Sequence, residues 1–249
     1  MTSGISLPTA PENDVPWREW GAVSKYVEHA WDPENTPHHS IVGLTGSGKS
    51  YLAVNGILRP MCPWDRVVII DNKGDDPLVS AQGRACRELP RNTWYSGLGR
   101  KERPFDNWHR VVVHEDVPKA QQQVFDVLHR IYKEKNYVVF IDELFYVTGR
   151  NRATLNLEPW VEKIYRYGRS KGISLIAATQ SPRYVPSSFY DQASFAWIGR
   201  IRDEQRQKRL LEIGGLSKKE LPYISQLERR QWLLSADNGE HFARTTVKV

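Results

Sequence analysis

The chain has 249 residues, enough for one substantial core and an ordinary length for a single α/β domain. Hydrophobic residues make up 40% and charged residues 26%, and no run of 18 apolar residues is present to form a membrane span. Lys and Arg outnumber Asp and Glu by 35 to 29, a net charge of +6 that suits a polyanionic partner without requiring one.

The first eight residues lack a basic region followed by an apolar stretch, so no secretory leader is expected. Two cysteines, Cys62 and Cys86, show no C-x-x-C spacing and point to a reduced, cytoplasmic setting. Residues 1–16, with Pro8, Pro11 and Pro16 among small polar residues, read as an extended arm. Trp20, Val23, Tyr26, Val27 and Ala30 then mark one face of a short helix within 17–31. Residues 1–37 are thus expected to form an arm and short helix ahead of a larger domain at 38–249.

A short strand is predicted at 38–42, followed by Gly43-Leu44-Thr45-Gly46-Ser47-Gly48-Lys49-Ser50 and a helix over 49–58. Strand, G-x-x-x-x-G-K-[S/T] and helix together are the phosphate-binding loop. Its glycines let successive N–H groups turn toward a triphosphate, Lys49 reaches the β- and γ-phosphates, and the Ser50 hydroxyl ligates Mg²⁺. Gly43, Thr45, Gly46, Ser47, Gly48, Lys49, Ser50 and Tyr51 are therefore the candidate ATP contacts. His38 and His39, beside the first strand and without partners at metal spacing, are read as structural.

Arg66–Asp71 is an apolar run ending in a carboxylate, the pattern of a buried parallel strand, with a polar turn at 72–77. Residues 81–107 are irregular. Trp94, Tyr95 and Trp108 stand among basic residues in and beside this stretch, a pattern shared by surface packing and by single-strand nucleic-acid grips. Strands are expected at 111–114, 137–143, 173–180 and 195–199, and helices at 118–135, capped by Asp116, at 158–169 and at 203–212. Gly214-Gly215 stops the last helix. Runs at 230–235 and 241–247 around Asp237-Asn238-Gly239 signal a C-terminal β-hairpin. Alternating strands and helices imply a mainly parallel sheet with helices on both faces.

Tyr137–Glu143 delivers two acids at the end of an apolar strand, where open α/β sheets place ligands. Asp142 is the expected Mg²⁺ partner of Ser50, and Glu143 is suited to polarise the water that attacks the γ-phosphate. Gln180, ending another strand, is either a sensor of the γ-phosphate or a strand-end turn residue. Two strands separate the motifs along the sequence, which resembles the additional-strand, catalytic-glutamate (RecA-like) division of P-loop NTPases.

Two further blocks make the resemblance specific. Asp71-Asn72-Lys73-Gly74-Asp75 resembles the D-P-K-G segment of the HerA/FtsK superfamily, with Asn72 in place of the usual proline. Arg169-Ser170-Lys171-Gly172-Ile173 and Ala178-Thr179-Gln180-Ser181-Pro182 resemble its R-x-x-G-I and A-T-Q-x-P blocks. The resemblance covers roughly residues 40–200. It implies a homo-oligomeric ring, a pentamer or hexamer, that hydrolyses ATP with Mg²⁺ and moves nucleic acid, double-stranded DNA in the usual case. It also implies a neighbour's arginine at each ATP site. Motif position names Arg169, with Arg166 and Arg200 as alternatives, beside Glu143, Lys49 and Gln180 as catalytic residues. Lys73 is a candidate phosphate or intersubunit contact.

A short motor of this kind is most like a viral genome-packaging ATPase, acting in the host cytoplasm or virion and docking on a capsid or membrane-vertex protein. A protein-directed ATPase of a secretion or filamentous-phage assembly system is the alternative, and a nucleotide-gated switch is a third. Basic groups at Arg100, Lys101 and Arg103, at Arg150 and Arg152, and at Arg200, Arg202, Arg206, Lys208 and Arg209 are candidate DNA or subunit contacts, or solvated faces.

Overall fold

In a computed structural model, the described residues are 15–32, 35, 38–62, 66–74, 86–89, 108–213, 216–236 and 239–248. The sequence expectations for residues 1–14, Trp94, Tyr95, the Arg100 cluster, Gly214-Gly215 and Asp237-Asn238 lie outside them.

Among the described residues nine strands form one sheet: β1 (His39–Val42), β2 (Val67–Asp71), β3 (Cys86–Leu89), β4 (Trp108–Val112), β5 (Tyr137–Ile141), β6 (Ile173–Thr179), β7 (Phe195–Ile198), β8 (Gln231–Ala236) and β9 (His241–Thr246). Their order is β3-β4-β2-β5-β6-β1-β7-β8-β9. From β3 to β7 every pairing is parallel, and β8 and β9 close one edge as an antiparallel hairpin. The predicted α/β architecture with a C-terminal hairpin is therefore the observed one.

Strand composition explains the two layers around this sheet. Tyr137, Val139 and Ile141 of β5 face one core, and Val138 and Phe140 face the other. Ile173, Leu175 and Ala177 of β6 divide from Ile176 and Ala178 in the same way. That period of two, with every position buried, needs cover on both faces. On one face lie α4 (Val117–Glu134), α5 (Leu144–Thr148) and α6 (Glu158–Tyr167). Asp116 caps α4 as expected, its carboxylate accepting the Lys119 N–H at 3.1 Å.

The other face is covered by α1 (Trp20–Ala30) and the helix that follows the glycine loop. That helix extends past its predicted end: α2 (Lys49–Tyr51) and α3 (Arg59–Met61) flank a π-helical middle, Leu52–Leu58, with every residue of the middle buried. Trp20 rests against this segment, 3.3 Å from where a Cβ on Gly56 would lie, and tilts against Trp197 at a 6.0 Å centroid distance. Trp197 and Trp232 are fully buried; truncating either to alanine should cost about 3–5 kcal/mol.

Some predicted boundaries move. β4 begins at Trp108, three residues before the predicted strand, because the polar Arg110 is buried against Asp71 of β2 rather than exposed. β3 falls in the stretch read as irregular. The helix predicted to reach 169 ends at Tyr167, and Arg169–Lys171 forms a separate 3₁₀ turn. The strand that separates the β1 and β5 motifs in space is β6, which follows both in sequence. The intervening strands β2 and β4 lie on the far side of β5.

The N-terminal segment adds to the hairpin edge. Trp17 bridges Arg244 of β9, Arg244 N–H donates to Pro16 O at 2.8 Å, and Arg18 N–H donates to Arg244 O at 2.8 Å.

Candidate functional site

The carboxyl ends of β1, β5 and β6 converge on one edge of the sheet. After β1 the backbone takes left-handed values at Gly46 (φ +79°) and Gly48 (φ +98°), which side chains resist, and so curls back on itself before α2. Lys49 is buried in the hollow of this loop, its Nζ donating to Gly43 O at 2.9 Å and Leu44 O at 3.1 Å. Burial lowers its pKa, opposed by the charges of Glu143 and Asp142.

Ser50, at the start of the helix, donates its hydroxyl to Asp142 Oδ1 at 2.8 Å, and Asp142 is fully buried at the end of β5. The other carboxylate oxygen of Asp142 lies 2.8 Å from Lys73 Nζ, an ammonium that is half exposed. A hydroxyl and a carboxylate at hydrogen-bonding distance, drawing a cation, are the hard oxygen donors that fit Mg²⁺. Among the described residues no cluster of three His, Cys, Asp or Glu could form an all-protein metal cage.

Glu143 is fixed from β6: Oε1 accepts the Thr179 hydroxyl at 2.7 Å, and Oε2 accepts the Gln180 N–H at 3.2 Å. Burial raises its pKa, and the bonds from Thr179 and Gln180, with Lys49's charge, pull it back. The Gln180 side chain reaches across to the glycine loop, where Thr45 donates its hydroxyl to Gln180 Oε1. Thus Thr45, Lys49, Ser50, Asp142, Glu143 and Gln180 come together. Glu143, Lys49 and Gln180 join Gly46, Gly48, Tyr51 and Lys73 in lining a cleft of about 520 Å³.

The loop after β2 supports the same edge. Asp71 Oδ1 accepts the N–H groups of Lys73 (3.0 Å) and Gly74 (3.1 Å), and Oδ2 pairs with buried Arg110. This turn aims Lys73 at Asp142. Asn72, the departure from the usual proline, donates its amide to the Glu143 carbonyl at 3.0 Å.

The candidate arginines separate. Arg169 and Arg166 share a cleft of about 510 Å³ with Lys135 and Lys171 at the amino end of β6. Six residue steps of β6 at about 3.3 Å each put that edge about 20 Å from Thr179, beside Gln180, beyond the reach of an arginine side chain. Arg200 instead follows β7 on the same edge as the glycine loop. Arg150 is taken up by Glu158 at 2.5 Å.

Sequence reasoning missed Thr179, Arg229 and Arg230. The threonine stands in the A-T-Q-x-P block beside Gln180, where strand-end position was the available signal. Arg229 and Arg230 line the nucleotide cleft from the turn before β8, and nothing in their local pattern reports that.

No family model matches the chain. It is 24% identical over 220 residues to protein P9 of Pseudoalteromonas phage PM2, covering 85% of this chain and 91% of that protein. It is 21% identical over 174 residues to DNA packaging ATPase P9 of Enterobacteria phage PRD1, covering 70% and 68%. Among solved structures, the genome packaging NTPase B204 of Sulfolobus turreted icosahedral virus 2 superposes with a TM-score of 0.63 at 17% identity, covering 88% of this chain and 99% of B204. VirB4 of Thermoanaerobacter pseudethanolicus gives 0.63 at 13% identity, covering 90% and 92%. At such identities the structural likenesses establish the fold. In sequence the chain is thus similar to the P9 proteins of two phages, one of them named a DNA packaging ATPase, and in fold to a viral genome packaging NTPase.

Proposed function

We propose that this chain is an ATP-hydrolysing motor that packages a viral genome, double-stranded DNA in the first instance. The observation that carries the reading is the fixing of Glu143 from β6, beside a glycine loop that Thr45 ties to Gln180. A loop that only bound nucleotide would have no need of a carboxylate held at its phosphate end. The DNA packaging ATPase of phage PRD1 and the genome packaging NTPase B204 support the choice of polymer.

The phosphates of ATP lie in the curl of Gly43–Ser50, where main-chain N–H groups and the Lys49 ammonium neutralise them. Ser50 and Asp142 would hold Mg²⁺, which would supply positive charge to the phosphates. Glu143 orients a water in line with the γ-phosphate and accepts its proton as the oxygen–phosphorus bond forms and the bond to the β-phosphate oxygen breaks. Its raised pKa makes it a better base than an exposed glutamate. Gln180 feels the loss of the γ-phosphate and passes it through Thr45 to the loop. Arg169, too far from its own cleft, serves a neighbouring subunit's ATP in a pentameric or hexameric ring. A capsid or membrane-vertex protein is the docking partner in the host cytoplasm or virion.

The test is ATP hydrolysis with and without duplex DNA at low salt. Lys49→Ala should abolish nucleotide binding and turnover. Glu143→Gln should keep binding and lose about 10²–10⁴-fold in kcat. Near-normal turnover by Glu143→Gln would remove that residue from catalysis. Hydrolysis indifferent to DNA would shift the substrate toward protein.

A further inference from the structure

The hydrolytic residues all sit on one side of the glycine-loop strand. Asp142 and Glu143 follow β5, and Gln180 follows β6, which is β1's neighbour on that side. A triphosphate whose γ-phosphate faces them must carry its α-phosphate and nucleoside toward the start of α2 and the β7–β8 side. The turn into β8 lies there, and it brings Arg230 onto the loop.

Three observations place Arg230. Its N–H donates to Ser47 O at 2.9 Å, which bolts the turn to the glycine loop. Its Cγ lies 3.3 Å from where a Cβ on Gly48 would stand, so the side chain packs closely on the loop at a position without one. Its guanidinium stacks 4.0 Å from the centroid of Tyr51, the residue after Ser50. Among the described residues no carboxylate pairs with it.

The backbone at Arg230 is left-handed, φ +65°, a conformation glycine would adopt without strain. A strained arginine, stacked on an aromatic ring and left without an acid beside a phosphate loop, is built to receive an anion. We propose that Arg230 is a further nucleotide-binding residue, acting within its own subunit: its guanidinium takes the α-phosphate of the bound nucleotide, and the Tyr51 ring holds it in position. The inference rests on the ATP-site reading above and assigns the end of the site that the motifs leave open.

Arg230→Gly tests it by titration of a fluorescent ADP and by steady-state hydrolysis. The glycine removes the guanidinium while relieving the backbone, so the melting temperature should hold or rise. ADP and ATP affinity should each fall roughly tenfold or more, the weight of a charge-assisted hydrogen bond, because both ligands carry the α-phosphate. The loss should appear in KM for ATP more than in kcat, since the lost contact is made equally in ground and transition states. Arg230→Lys keeps a charge and loses the planar fork, and its ADP affinity should fall several-fold. Wild-type ADP affinity in both variants would overturn the proposal. So would a collapse of kcat with ADP affinity intact, which would place Arg230 at the γ-phosphate. A wild-type protein that bound no nucleotide would remove the ATP-site reading itself.

Discussion

Two adjacent histidines at the foot of the glycine-loop strand make the fold acid-sensitive by a calculable amount. His38 and His39 are buried, and each uses Nδ1 as an acceptor: from Leu175 N–H at 3.1 Å and from Trp197 Nε1–H at 3.3 Å. Protonation at Nδ1 would set donor against donor in each case. His38 Nε2–H is already committed to Tyr165 O at 3.1 Å. Burial accordingly lowers the pKa of His38 to about 4 and, with His38's charge adding to it, that of His39 to about 3. Both rings are neutral in the fold, whereas in the unfolded chain each binds a proton near its ordinary pKa of about 6.5.

Because the folded-state values are depressed, the stability is fully present above pH 6.5 and is lost as pH falls toward 4 and then 3. From pH 7.5 to 5.5 each histidine should withdraw about 1.4 kcal/mol, or about 2.7 kcal/mol for the pair. For a urea slope of about 3 kcal/mol/M, the unfolding midpoint should drop by about 0.9 M. Glu143 and Asp126, whose carboxyls burial pushes up, act in the opposite direction. A His38→Asn/His39→Asn double variant isolates the imidazole part, since the asparagine amide oxygen can replace Nδ1 as acceptor. The difference between wild type and variant in midpoint shift is the measured quantity. Parallel pH dependences in the two proteins would refute the reasoning.

Thr179→Val removes a hydrogen bond that holds the Glu143 pKa down, so the acid limb of the pH–rate profile should move to higher pH; an unmoved limb would detach Thr179 from the base. Arg110→Met strands the buried Asp71 carboxylate and should cost about 3–5 kcal/mol in urea unfolding; a loss below about 1 kcal/mol would show that the two turn N–H groups suffice. Arg169→Ala should lose hydrolysis yet regain part of it in rings mixed with Lys49→Ala subunits, because each partner supplies what the other lacks; assembled mixtures that stay inactive would argue against an arginine acting across subunits.

Much of this was legible in the residues because the strands are buried on both faces. Val67–Asp71, Tyr137–Ile141 and Ile173–Thr179 are nearly unbroken apolar runs, and such runs leave little choice of element. The phosphate loop and the Asp142-Glu143 pair were equally plain, since their chemistry is local in sequence. What stayed hidden depends on contacts between distant segments. Arg110 is buried in β4 through its pairing with Asp71, thirty-nine residues away in sequence. Arg230 reads as a strand's first residue, and its meeting with Ser47 and Tyr51 spans most of the chain. β3 is a Cys-Arg-Glu-Leu segment with no alternation to announce it. The spatial insertion of β6 between the two motif strands is a property of topology, which spacing alone does not encode.

The hydrogen bond from Arg230 to the glycine loop is one link in a longer line. Val247 N–H donates to Arg230 O at 2.9 Å, joining the loop to the end of β9. Arg244, three residues earlier, is bonded through N–H and C=O to Pro16 and Arg18, and its guanidinium donates to Val15 O at 2.7 Å. Main-chain bonds and a single strand thus form a taut cord from the glycine loop to the outermost edge of the sheet. A cord of this kind transmits displacement rather than absorbing it. Any shift of Ser47 as nucleotide is exchanged would pull on the segment laid along that edge, giving the N-terminal region a direct mechanical view of the catalytic cycle.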